Sequence, residues 1–206
     1  LFRSRRSLLF SVVVVSLLFA GCGSDINNQK STKSDKKTFL SDSTSYNAFL
    51  EKGKNSVMST GMTLVQNLTG AIEKGGTTYA IEFCKLQAQP LTDSMSTLSG
   101  SNIKRVTDRP RNPLNKANAD ELSYILQLKS MLAAGEKATP TLSESNGKIT
   151  GYYPIITGEL CMKCHGDKAS IEKNILDKIS KLYTSDSATG YKPNELRGLW
   201  VVEMSK

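Results

Sequence analysis

The sequence predicts an α+β fold, with helices in the N-terminal half of the chain and an antiparallel pair of strands further on. Apolar residues recur at steps of three and four over much of the first half of the chain, as they do in amphipathic helices. Further on, Asn146-Gly147 separates two strand-like stretches, and this dipeptide suits a two-residue hairpin turn. The chain ends in a segment rich in Val, Leu and Trp, residues favoured in strands.

Residues 1–21 have the composition of a lipoprotein signal peptide. Three arginines precede an apolar run from Leu8 to Phe19, and the small pair Ala20-Gly21 stands directly before Cys22. We therefore predict cleavage before Cys22 and acylation of its sulfur. This predicts an exported protein, anchored to a membrane by lipid and facing the periplasm or the cell surface. The alternative is an ordinary cleaved signal in which Cys22 has no role.

Residues 22–45 are predicted to form a lipidated flexible tether, because they contain almost no apolar side chains. The remaining segment, 46–206, is then one folded domain. The formal net charge is +8, and 8 − 3 leaves +5 once the three signal-peptide arginines are removed. The lysines are scattered and do not alternate with aromatic residues, so the sequence gives no indication of nucleic-acid binding.

Two helices are predicted before residue 100. The first begins near Tyr46 and ends at Gly75-Gly76. The second begins at Thr77, and Pro90 is expected to kink it or end its first half. The expected core face of the first helix is Met58, Met62, Val65, Leu68 and Ile72, and that of the second is Ala80, Cys84, Ala88, Leu91, Met95 and Leu98.

The second half of the chain alternates between strand and helix signals. We predict strands at 103–107, 139–144, 148–156 and 198–204, and helices at 119–135 and 169–183. Residues 108–118 are rich in Pro and Asn and are predicted to be a turn region without regular structure throughout. In the helix at 119–135 the expected apolar side is Leu122, Ile125, Leu126 and Leu132.

The segment Cys161-Met162-Lys163-Cys164-His165 predicts attachment of one haem c. Two thiols at this spacing can add to the two vinyl groups of a haem, and the adjacent His165 then provides an iron ligand. Export agrees with this, since the cofactor is attached outside the inner membrane. The alternatives are a thioredoxin-like redox pair, half of a zinc site, and a structural Cys161–Cys164 disulfide.

Cys84 is the one cysteine that neither lipidation nor haem attachment uses. It is either a buried free thiol on an apolar helix face or the ligand on the second face of the iron, because His165 is the only histidine. Met58, Met62 and Met95 are alternative ligands for that second face.

Four ordered motifs resemble those of the c-type haem, PAS-like sensor domains, a family long catalogued as a domain of unknown function. They cover the chain from about Tyr46 to its end. The motifs are Ala80–Cys84; Lys104–Thr107 with Arg111-Asn112-Pro113 and Asn115; Cys161–Gly166; and Ala188–Tyr191 with Arg197-Gly198. The chain departs from the family at Asp108-Arg109-Pro110, where the family more often lacks the proline.

The resemblance implies a PAS-like antiparallel sheet with long N-terminal helices, and a covalent haem with His165 and Cys84 as axial ligands. Arginines are well suited to bind haem propionates, because the guanidinium is planar and permanently charged. Arg105 and Arg111, with Arg109 and Arg197, are the candidates for this role. The alternative for Arg111 is a purely structural role, in which it stabilises a turn together with Asn112 and Asn115.

The predicted function is that of a redox or gas sensor that passes a signal to a partner protein. The family occurs both as small exported proteins and as the outer sensory part of kinases, and this chain contains no output domain. The alternative is an electron-transfer cytochrome c with a redox partner. An enzyme such as a peroxidase is not predicted, because it would need a catalytic histidine beyond His165.

Overall fold

The structure is a computed structural model that describes residues 43–206. The predicted signal peptide, Cys22 and most of the predicted tether lie outside these residues. The helices are α1 (Ser43–Ser99), α2 (Ala119–Ala133), α3 (Glu159–His165) and α4 (Lys173–Leu182), with a 3₁₀ turn at Pro113–Asn115; the strands are β1 (Asn102–Val106), β2 (Thr141–Ser145), β3 (Lys148–Ile156) and β4 (Leu196–Ser205).

Helix α1 consists of two helical halves, 43–74 and 77–99, joined at Gly75-Gly76. Gly76 has φ 70° and ψ −179°, a conformation that only glycine adopts readily, so the predicted stop is confirmed. The two halves contact each other, since the Thr63 hydroxyl donates to Met95 Sδ at 3.7 Å. The double glycine therefore lets one apolar segment fold back on the other.

Pro90 does not end the helix, which was one of the two outcomes predicted for it. Within α1, non-helical backbone angles occur only at Gly75 and Gly76. Proline removes the hydrogen bond to the carbonyl of Leu86, but Leu86 is 67% exposed and Pro90 is also exposed. The missing bond therefore lies on the solvent side, where water can satisfy the carbonyl.

The predicted core face of the first half of α1 was also wrong. Met58, Met62 and Val65 are 53%, 57% and 51% exposed. The face that packs on the sheet instead carries small residues such as Gly53, where an added Cβ would lie 2.1 Å from Tyr153 Oη. Periodicity alone could not choose between two partly apolar faces, whereas the small side chains allow the helix to approach the sheet closely.

The four strands form one antiparallel sheet in the order β1-β4-β3-β2. The predicted hairpin is confirmed: Asn146 and Gly147 have φ of 52° and 72°. In β4, Gly198 allows β1 to come close, because a Cβ there would lie 2.3 Å from the carbonyl oxygen of Val106. The sheet places the ends of β3 and β4 beside the chain segments that build the site described below.

Each sheet face has its own apolar core. The first core joins the sheet to α1, and the second joins it to α2 through Ile125 and Leu128. Leu122 and Leu126 were expected in that core but are 37% and 57% exposed, and Leu98 of α1 is 79% exposed. The first turn of α2 instead buries Glu121, which forms a capping box with Asn118.

Residues 43–206 contain no helix that is long and apolar enough to cross a membrane.

Candidate functional site

The CxxCH motif lies on the short helix α3, which sequence analysis did not predict. Gly158 precedes the helix and Gly166 follows it. A Cβ at Gly166 would lie 2.7 Å from the carbonyl oxygen of Met162, so glycine permits the tight exit. Cys161 and Cys164 are free thiols, each partly exposed, one turn apart on this helix. Helix α3 therefore carries both thiols and His165 within seven residues.

His165 is held in a single orientation by the backbone. Its Nδ1 lies 2.7 Å from the carbonyl oxygen of Ala188. Because a carbonyl only accepts hydrogen bonds, Nδ1 carries the proton and Nε2 keeps its lone pair. Burial, with the nearby Arg111 and Arg197, lowers the pKa of His165 from 6.5 to about 3. The ring is therefore neutral at physiological pH, the form in which imidazole binds a metal.

The segment 188–191 forms a strap over the end of α3. Gly190 N–H donates to the carbonyl of Gly166 at 2.7 Å, and Tyr191 N–H donates to that of His165 at 2.9 Å. Gly190 has φ 78°, which this turn requires and which favours glycine. The ring of Tyr191 then stands edge-on to His165, with ring centres 6.3 Å apart. The strap thus restrains both the backbone and the imidazole ring of His165.

Two arginines hold the strap in place. Arg111 forms an ion pair with Asp186, with Nε 3.0 Å from Oδ1, and donates to the carbonyl of Cys164 at 2.7 Å. Arg109 donates to the carbonyls of Ser187 and Thr189. Sequence analysis proposed both arginines for binding propionates, whereas the structure shows them bonded to the chain around His165.

Arg105 and Arg197 are also partly buried, and their hydrogen bonds go only to neutral groups. Arg105 donates to the carbonyl of Ala88 at 3.4 Å, and Arg197 donates to the hydroxyl of Thr107 at 3.0 Å. Neither forms an ion pair with a carboxylate of residues 43–206. Burial lowers the pKa of both guanidinium groups, although they remain charged at neutral pH. A partly buried cation of this kind is stabilised by an anionic partner.

Cys84 lies on the second half of α1, where that half contacts α4. One turn earlier, Ile81 packs in a cluster with Ile175 and Ile179 of α4, and Cys164 packs against the same cluster. An ion pair between Glu82 and Lys178 links the two helices beside this cluster. Helix α1 therefore brings Cys84 to the neighbourhood of the motif helix, across a separation of some 80 residues in sequence.

The thiols of Cys84 and Cys164 share an electrostatic environment. Burial raises the pKa of Cys84, while Arg105 and Arg111 lower it by a smaller amount. Burial also raises the pKa of Cys164, and Cys84 contributes in the same direction. Both thiols are therefore protonated at neutral pH when no metal is bound. Among the residues that the structure describes, no three His, Cys, Asp or Glu side chains form a direct metal-binding cluster.

The structure brings most of the predicted site residues together. The thiols Cys161 and Cys164 share α3 with His165, and the electrostatic contacts place Cys84 near Arg105 and Arg111. Met58 and Met62, proposed as alternative ligands, point to solvent on the other half of α1. Lipidation of Cys22 lies outside the described residues.

Sequence reasoning missed Asp186 and Thr157. Asp186 pairs with Arg111 across 75 positions, and no local pattern marks such a pair. The hydroxyl of Thr157 donates to the carbonyl of Lys192 at 2.6 Å and so ties the start of the motif segment to the chain before β4. Its position immediately before Gly158 was the available signal, since Thr often stabilises turns through its hydroxyl.

A protein-family model described as Tll0287-like matches residues 27–205. The chain belongs to the Tll0287-like family. The match includes part of the segment that was predicted to be a tether. Among solved structures, the Tll0287-like chain is similar to one described as the cyanobacterial heme-protein Tll0287, with a TM-score of 0.53 and 19% identity over 75% of this chain and 96% of that one. At this identity the likeness shows the fold. No curated protein matches the chain.

Proposed function

We propose that this protein binds one haem c covalently through Cys161 and Cys164, with His165 and Cys84 as the two axial ligands. The observation that carries the proposal is the neutral imidazole of His165, fixed by Ala188 through Nδ1 on the same helix as two free thiols. The similar solved structure is described as that of a heme-protein, which supports the same cofactor.

Two side chains, His165 and Cys84, could donate to the iron of a bound haem. The lone pair on Nε2 of His165 is available because the backbone holds the other ring nitrogen, as is common for ligating histidines. Cys84 provides a sulfur on the apposed helix, and Arg105 and Arg111 stabilise its thiolate form. Haem iron accepts both imidazole and thiolate ligands.

Arg105 and Arg197 are the better candidates for the propionates. Both are partly buried cations whose hydrogen bonds are to neutral groups, so a carboxylate would complete their environment. Arg111 already pairs with Asp186, and we propose that it positions the strap. This assigns the three arginines of the sequence motifs to two different tasks.

The function we propose is that of a redox or gas sensor in a PAS-like domain, without enzymatic activity. A bound haem would supply an iron centre that changes oxidation state or accepts a small gas molecule. In this chain, Cys84 would link that centre to α1, the longest helix among the described residues, and the cluster with α4 supports the same helix. A change at Cys84 would therefore be transmitted to a surface that a signalling partner can contact.

We further propose that the protein is an exported lipoprotein, anchored to a membrane through Cys22. Cys22→Ser should move the protein from the membrane fraction to the soluble fraction after cell lysis. Membrane association that is unchanged in this variant would contradict the lipid anchor.

The second candidate is an electron-transfer cytochrome, and one observation favours it. No residue of α3 is fully buried, so the attachment edge of a haem would lie near the surface, where electrons could be exchanged with a partner. The two functions differ in their response to gases. A sensor of gas should bind carbon monoxide or nitric oxide in its ferrous form, whereas an electron carrier should keep both ligands in both redox states.

Covalent haem is tested by producing the chain together with a cytochrome c maturation system. We expect the mass of the protein to increase by one haem and its colour to remain after denaturation, since thioether bonds survive unfolding. Cys161→Ala and Cys164→Ala should each weaken this retention. A colourless native protein that contains zinc would contradict the proposal.

A further inference from the structure

The solvent face of the first half of α1 is unusual in its lack of charge. No Asp, Glu, Lys, Arg or His occurs among the 18 residues 55–72. In this stretch Met58, Met62 and Val65 are each more than half exposed and lie one above another at steps of four and three. Surfaces depleted in charge and rich in Met are typical of protein interfaces. We call Met58, Met62 and Val65 the α1 stripe.

The α1 stripe is not flat. A shallow depression of about 380 Å³ opens beside Gly61 and is lined by Val57, Met58, Met62, Val65 and Gln66. Because Gly61 has no side chain, a knob from another helix could enter between Met58 and Val65. The surface therefore offers both projecting side chains and a recess for them, the pattern by which helices pack on one another.

Charged residues mark the two ends of the stripe. Lys54 stands one turn before Met58 and Glu73 stands two turns after Val65, and the two lie about 100° apart around the helix, on either side of the line of the stripe. Both are exposed, although Lys54 also pairs with Glu51 at 3.2 Å. The charged residues nearest to the two ends are thus of opposite sign and lie about 28 Å apart along the helix axis at 1.5 Å per residue.

We infer that the α1 stripe is the interface of a homodimer in which two copies of α1 pack antiparallel about a two-fold axis. The arrangement brings Lys54 of one copy to the same level along the helix axis as Glu73 of the other, at both ends. The same axis, which passes between positions 63 and 64, places Met62 of one copy opposite Val65 of the other. One symmetry operation therefore satisfies both the charges and the apolar residues, as an isologous interface requires.

A parallel pair does not satisfy the charges, because it would place Lys54 beside Lys54 and Glu73 beside Glu73. The sheet does not cover the stripe, because α1 packs on the sheet with its opposite face, through residues such as Gly53 and Tyr46. The interface is independent of the proposed haem, whose candidate ligand Cys84 lies on the other half of α1.

The test is sedimentation equilibrium of the full chain in detergent matched to the density of the buffer. The parent should form a concentration-dependent dimer. Lys54→Glu and Glu73→Lys should each raise the dimer dissociation constant at least about fivefold, because each replaces two attractions by two repulsions. The double variant K54E/E73K should return to within about twofold of the parent. Lys52→Glu is the matched control, since it lies about 200° around the helix from Lys54.

A second variant tests the apolar contact. Val65→Asp should abolish dimerisation and leave the helical circular dichroism unchanged, because position 65 is exposed in the monomer. A parent that stays monomeric at all concentrations would overturn the proposal. The stripe would then be covered by something other than a second copy, such as residues 1–42 or a lipid surface. A dimer that Lys54→Glu strengthens, or that the double variant does not restore, would overturn the antiparallel arrangement.

Discussion

Apolar contacts pack the helices on the two faces of the four-stranded sheet, whereas hydrogen bonds from arginines hold the chain around His165. Each face of the sheet has a buried apolar cluster, with Leu199 and Ile149 completely buried. Around His165 the strap is held by Arg109 and Arg111, which bond to carbonyl groups and to Asp186. The comparison teaches that the scaffold and the site depend on different forces, so each should respond to its own substitutions.

The largest effect is expected in the scaffold. Leu199→Ala removes a fully buried side chain from the core beneath α2, and should lower the free energy of unfolding by about 4 kcal/mol. Urea denaturation followed by circular dichroism measures this loss. The fraction of the variant that remains folded should retain the arrangement of the chain around His165. A site that is disrupted in the folded fraction would show that scaffold and site are not separate.

A smaller effect is expected at the strap. Asp186→Ala leaves Arg111 without its partner at a position where both side chains are nearly buried, and should cost about 2–3 kcal/mol in unfolding free energy. It should also loosen the strap, which increases hydrogen exchange at the backbone amides of Gly190 and Tyr191. Unchanged exchange at these amides would contradict the role assigned to Arg111.

The matched control for this substitution is Asp177→Ala, which removes an exposed ion pair with Lys173 within α4. We expect a loss below about 0.5 kcal/mol, since exposed pairs contribute little. Equal losses in both variants would show that the Arg111–Asp186 pair has no special role.

Acidification tests the site through His165. Its pKa is about 3 in the folded chain, below the 6.5 of an exposed histidine, so between these values the unfolded chain binds more protons. Stability should therefore fall as the pH decreases through 6.5, by about 2 kcal/mol between pH 7 and pH 5 for the chain without haem. Urea denaturation at several pH values measures this slope. The variant His165→Gln should show a smaller slope, and an equal slope would indicate that other groups cause it.

The parts of the fold that could be predicted are those encoded by neighbouring residues. Asn146-Gly147 fixes its hairpin and Gly75-Gly76 fixes the break in α1, because both need backbone angles that few residues adopt. The exposed stripe of α1 was assigned to the core because both helix faces carry apolar residues, and only the sheet decides between them. At the site, the motif predicted the positions of the thiols and His165, while Asp186 depends on a partner 75 residues away.

The central claim, that Cys84 and His165 together bind a haem iron, is tested most directly by the ferric spectrum of Cys84→Ala. Optical and electron paramagnetic resonance spectra of the haem-loaded parent should show low-spin iron with thiolate coordination, and Cys84→Ala should lose that signature. Met95→Leu, which changes an alternative ligand on the same half of α1, should leave it intact. A parent without the thiolate signature, or a Cys84→Ala spectrum identical to that of the parent, would show that Cys84 is only a packing residue.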